Sequence, residues 1–90
     1  MATLSLPSTL THAEANACLQ QLQAGIEQLP AGSEAVVEAS SLAVLDSSAL
    51  AVLLECRRSA LAAGKTLRVV GLPASAATVA RLYGVDSLLA

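Results

Sequence analysis

Aromatic side chains are nearly missing from this 90-residue chain, which has no Trp, no Phe and one Tyr, Tyr83. Any core must therefore be built from small aliphatic residues, mostly Ala, Leu and Val. Such side chains let helices lie close on a sheet. Charge is scarce as well. Five Lys and Arg against seven Asp and Glu leave a net charge of −2, and Arg57-Arg58 is the only adjacent basic pair. A nucleic-acid binder needs a basic stripe, so nucleic acid is not expected as a partner.

Metal-binding side chains are few. Cys18 and Cys56 stand far apart, and His12 is the only histidine. Neither the spacing nor the ligand count suits a zinc site, so no metal and no cofactor is expected. Both cysteines are expected to be small buried thiols. The apolar runs are short too, although the mean hydropathy is +0.63. The longest apolar stretch, around Ala39–Leu54, is broken by Asp46, Ser47 and Ser48, short of the ~20 residues of a spanning helix. Met1 to Pro7 has neither a basic start nor an apolar h-region. No signal peptide is expected, and a cytoplasmic location is.

Catalytic signatures are also lacking. There is no Gly-x-Ser-x-Gly, no P-loop and no dinucleotide fingerprint. Ser47, His12 and Asp46 make a triad only on paper, because neighbouring Asp and Ser side chains do not give triad geometry. The chain is expected not to be an enzyme.

What is present is alternating strand and helix periodicity. Thr3–Leu6 alternates and is closed by Pro7, a brief strand. Ser8–Thr11 reads as a turn, and Thr11 with Glu14 has the form of a capping box. Ala15, Cys18, Leu19, Leu22, Ile26 and Leu29 then form one helical stripe, stopped at Pro30-Ala31-Gly32. Ala35–Ala39 is a strand buried on both faces. Leu42–Leu45 is an apolar run of either type. A helix follows from about Ser47 to Ala63, with Leu50, Leu53, Leu54, Ala60 and Leu61 expected inside and Gly64 after its end. Lys65–Val70 is a third strand. Pro73 opens a third helix, with Val79, Leu82 and Tyr83 expected inside, and Val85–Leu89 a last short turn. The order β-α-β-α-β-α predicts one α/β domain, 1–90, with a small parallel sheet, helices mostly on one face and an exposed edge at the first strand.

Asp46-Ser47-Ser48 is the most informative segment. One capping residue suffices for a helix start, and here there are three. A serine in the first helical turn is also a natural phosphate position, because free N–H groups and the helix dipole tolerate the added charge.

The stretch Val36–Leu54, with its strand, acidic-x-Ser step (Glu38-Ala39-Ser40), short apolar run and Asp46-Ser47-Ser48-Ala49-Leu50 opening a helix, resembles the signature of the STAS domain family. Ala63-Gly64-Lys65 and the strand to Leu72 match the family's Gly-Lys step. The resemblance covers nearly the whole chain. Two positions depart from the pattern: Ala49 stands where the family has Gly, and Glu38-Ala39-Ser40 where it has Asp-Leu-Ser. The family's first β-strand is expected to be missing. The ending Leu82-Tyr83-Gly84-Val85-Asp86-Ser87-Leu88-Leu89 is similar to the STAS subunits of Mla-type ABC transporters, which move phospholipids between the membranes of Gram-negative bacteria.

The resemblance implies a regulatory or assembly subunit that binds the cytoplasmic ATPase of such a transporter and reaches the membrane only through that complex. Asp46, Ser47, Ser48 and Leu50 are then the expected partner-binding residues, with Ser47 the hydroxyl that matters most. The alternative it implies is an anti-sigma factor antagonist, phosphorylated on Ser47 by an anti-sigma factor kinase.

Overall fold

The computed structural model describes residues 2–85. Its elements are β1 (Ala2–Ser5), β2 (Thr9–Leu10), α1 (His12–Glu27), β3 (Glu34–Glu38), β4 (Val44–Leu45), α2 (Ser47–Ala62), β5 (Thr66–Val70) and α3 (Ala74–Leu82). β1, β3 and β5 form a parallel sheet in that order, with β1 at one edge. The strand order never reverses, so right-handed crossovers carry the helices to a single face.

Register fixes which residues meet them. Leu4, Val37 and Val69 stand abreast, as do Ala35 and Leu67. All five belong to the apolar cluster beneath the helices or pack against it. Thr3, Val36 and Arg68 form a row on the opposite face, which lies outside that cluster. There Arg68 Nε donates to Glu34 Oε1 at 3.3 Å.

α1 packs closely on β1 because position 25 is glycine. A Cβ there would stand 2.6 Å from Leu4 Cδ2. Cys18, Leu22 and Ile26 are its buried residues, in phase with the expected stripe. At its start Glu14 accepts from the Thr11 backbone N–H at 2.9 Å and from the Thr11 hydroxyl at 2.8 Å. α1 has no basic residue in its last turn. A buried cation from another part of the chain takes that place: Lys65 Nζ donates to the Ile26 carbonyl at 2.7 Å.

Four expectations need correction. Thr9–Leu10 is a strand rather than part of a turn, and it pairs in parallel with Val44–Leu45. Two-residue strands are too short for alternation to reveal. In α2 the buried residues are Ala49, Leu50, Val52, Leu53, Cys56 and Ala60, whereas Leu61 is 47% exposed. Leu50, Leu53 and Ala60 are inside as expected, and Ala49, Val52 and Cys56 join them in place of Leu61. In α3 the buried residues are likewise Ala76 and Ala80. Leu82 lies on the far side, and Tyr83 ends the helix with its ring exposed. Leu50, expected at the docking surface, is 2% exposed and belongs to the core. The expected last turn, Val85–Leu89, falls almost wholly outside the described residues.

Candidate docking site

The small sheet of β2 and β4 decides where the site lies. Leu10 pairs with Leu45, and each is followed at once by a helix cap, Thr11 or Asp46. Parallel pairing therefore brings the N-termini of two 16-residue helices side by side. Both helix dipoles present their positive ends there.

Asp46 joins the two ends. Its backbone is extended, with φ −131° and ψ −169°, as an N-cap requires. Oδ1 accepts from the Ser48 N–H at 2.8 Å, which caps α2. Oδ2 accepts from the His12 N–H at 3.1 Å, which serves a free donor of α1. The Thr11 hydroxyl is engaged with Glu14, and the Asp46 carboxylate meets the His12 N–H. The Ser48 N–H above all, with the His12 N–H adding, holds the Asp46 carboxyl below its ordinary range. The Thr11 backbone N–H does the same for Glu14.

Ser47 is the first helical residue and is exposed, while Ser48 is half-buried. Asp46, Ser47 and Ser48 thus share one corner of the surface, and Leu50 lies beneath it. Between the helices runs a groove of about 320 Å³, lined by Ala15, Asn16, Leu19, Ser48, Ala51 and Glu55, with Val52 also contributing. Two bridges bound it: the Asp46–His12 hydrogen bond at the helix starts, and a bond from Gln23 Nε2 to Ser59 Oγ at 3.0 Å further along. Along its outer side Glu55 pairs with Arg58.

Apart from Ser48, the groove residues were not legible as a site from the sequence, because they belong to two segments about a third of the chain apart. One signal does foreshadow them. Thr9-Leu10-Thr11 and Val44-Leu45-Asp46 are alike, each a β-branched residue, a leucine and a cap before a helix.

The arrangement has the features of a binding face. Among the described residues no group of three or more His, Cys, Asp or Glu could hold a metal. No helix among them is long and apolar enough to cross a membrane. Between Glu14 and Glu27, α1 carries no charge, and its exposed Asn16, Ala17, Gln20, Gln21 and Ala24 give up water more cheaply than ionised side chains would. No curated protein matches the chain at a significant level. The family model described as "Mlab, STAS domain" matches residues 1–90. With the parallel sheet, the helices on one face and the Asp-Ser-Ser turn opening α2, that match shows that the chain belongs to the Mlab-type STAS domain family.

Proposed function

We propose that this protein is a non-enzymatic regulatory and assembly subunit that binds the cytoplasmic ATPase of an Mla-type ABC phospholipid transporter, through the face formed by Asp46, Ser47, Ser48 and the adjoining groove. The observation that carries the reading is the joined pair of helix N-termini, with the exposed Ser47 hydroxyl at its centre. The match to Mlab-type domains supports the choice of partner. In this reading the protein is cytoplasmic and meets the membrane only through the transporter, which maintains outer-membrane lipid asymmetry.

Docking needs a fixed shape, and Asp46 provides it by tying α1 to α2 at the contact. Ser47 offers a hydroxyl that accepts or donates a hydrogen bond. Co-purification with the transporter ATPase tests the proposal. Ser47→Arg puts bulk and charge at the contact, and it is expected to abolish the complex while the thermal melt stays that of wild type. A stable complex with Ser47→Arg refutes the proposed face.

A second reading follows from the same exposure. Ser47 is open to a kinase, and a phosphate at the first turn of α2 is compatible with the helix, as an anti-sigma factor antagonist requires. Incubation with an anti-sigma factor kinase and ATP, read by mass spectrometry, separates the two. Absence of phosphate on Ser47 excludes the switch.

A further inference from the structure

The parallel sheet has one edge that nothing guards. Among the described residues β1 pairs with β3 alone. The Leu6 N–H donates to the Glu38 carbonyl at 3.0 Å, so in the observed register Leu4 and Leu6 turn their backbone groups toward β3. Bonding direction alternates along a strand. Thr3 and Ser5 therefore direct their N–H and C=O groups away from the sheet. Such an edge pairs readily with another strand unless a charge, a proline or a bulge blocks it. Ala2–Ser5 holds no charged residue and no proline.

The placement of the free groups selects a second copy of the same strand. Thr3 and Ser5 are symmetric about Leu4. A two-fold axis at Leu4 sets Thr3 against Ser5 of the second copy, and Ser5 against its Thr3. Each such antiparallel pair exchanges two hydrogen bonds, so every outward group of Thr3 and Ser5 is used. Leu4, half-buried at the edge, meets Leu4 of the second copy at the closer, non-hydrogen-bonded spacing. No charge faces a like charge. The opposite edge fails the same test. In β5 the Thr66 N–H and the Val70 carbonyl are bonded toward β3, which leaves Leu67 and Val69 pointing outward. The corresponding axis falls on Arg68 and would set Arg68 against Arg68, a destabilising like-charge pair.

The helix over β1 suits this pairing. Gly25 of α1 lies against Leu4. Ala15, Leu19 and Gln23 face α2. At 3.6 residues per turn, Ala17, Gln21 and Ala24 lie on the other side of α1, toward the free edge. All three are exposed and uncharged, and the alanines let a second helix lie close. We propose that two copies of this chain associate through β1, antiparallel about Leu4, into one continuous six-stranded sheet with the two α1 helices side by side across the axis. The groove and the Asp46-Ser47-Ser48 corner lie beyond the far side of α1 and stay open in both copies, so this association is independent of the docking reading. The contact is small: a strand of four residues and one side of a helix about 24 Å long. That is below the standard interface size, so the dimer is a weak one, with Kd on the order of 10–100 μM.

The test is sedimentation velocity of the full chain from about 5 to about 500 μM, a range that brackets the expected Kd. Wild type is expected to pass from monomer to dimer. Thr3 and Ser5 are both exposed, so paired substitutions there are expected to leave the thermal melt unchanged. Thr3→Lys with Ser5→Lys sets lysine against lysine across the axis and is expected to weaken the dimer at least tenfold. Thr3→Lys with Ser5→Glu sets lysine against glutamate twice in the antiparallel register, and it is expected to dimerise at least as tightly as wild type. Wild type that stays monomeric at about 500 μM overturns the proposal. So does a dimer that the two lysines leave unchanged, which then uses another surface. Loss of the dimer in both double variants overturns the antiparallel register about Leu4.

Discussion

Replacing Lys65 by Met isolates a single interaction that holds the two halves of the fold together. Lys65 follows the turn after α2 and is only 7% exposed. Its ammonium donates to the carbonyl of Ile26 at 2.7 Å and to that of Glu27 at 3.4 Å. These carbonyls end α1, where the helix dipole is negative and no basic residue of the helix itself is present. A hydrogen bond from a charged group contributes about 1.5–3 kcal/mol, and a cation at a partly buried helix C-terminus up to about 2 kcal/mol. The two describe the same contact and do not add. Met keeps most of the apolar stem, so Lys65→Met is expected to cost about 2 kcal/mol. In a domain of this size each kcal/mol moves the melting temperature by about 4–8 °C, a fall of about 8–16 °C. Lys65→Ala also removes buried methylenes at about 0.8 kcal/mol each, so it should melt lower still. Thermal melts followed by circular dichroism at neutral pH decide the matter. If Lys65→Met melts within about 3 °C of wild type, well short of that fall, the ammonium contributes nothing and the assignment is wrong. If Met and Ala melt together, the stem rather than the charge is irrelevant.

Asp46→Asn keeps an oxygen for the Ser48 N–H but puts an amide donor opposite the His12 N–H, so it should melt below wild type and above Asp46→Ala. Because the Asp46 carboxyl is held below its ordinary range, its contribution is full above the unfolded value of about 3.9 and is lost as pH falls through the lower folded value. The gap between wild type and Asp46→Asn should therefore shrink in acid melts. Burial first, with Cys18 and Glu55 nearby, pushes the Cys56 thiol up to about 12, so a thiol reagent at pH 8 should leave it unmodified in the native protein and label it at once in guanidinium. Gly71 has φ +70°, and a Cβ there would lie 3.1 Å from Ser40 Cβ and 3.3 Å from the Ser40 backbone N, besides displacing Glu38 Oε1, so Gly71→Ala should cost more than the roughly 1–2 kcal/mol of left-handed backbone alone. Gly32→Ala, with φ +85° and open space around it, should show that smaller cost alone in parallel urea melts.

The contrast between α1 and α2 shows what could be read in advance. In α1 the buried Cys18, Leu22 and Ile26 recur every four residues with Gln20, Gln21 and Ala24 on the exposed side, so periodicity gives the right face. In α2 and α3 the buried positions include Ala49, Ala60, Ala76 and Ala80. Leu50, Leu53 and Ala60 were expected inside and are buried, but alanine carries little hydrophobic signal, so Ala49, Ala76 and Ala80 were passed over while Leu61 and Leu82 were counted in. Asp46 was legible as a cap because capping is local. Its second bond, to the N–H of His12, was not, since it joins residues 34 apart.

The order of the three long strands and three helices, the helix starts near Thr11 and Asp46, the parallel sheet and the first strand at its edge follow from the sequence by itself. Each depends on neighbours within a few turns or on the handedness of a crossover. The segment Asp46-Ser47-Ser48 was likewise legible as a helix start. The pairing of β2 with β4, the meeting of two helix starts under one carboxylate, the groove between them and the buried Lys65 at the end of α1 were decided by tertiary structure alone. Those features join distant segments, and the energy that selects them comes from packing and register, which no local pattern of residues encodes.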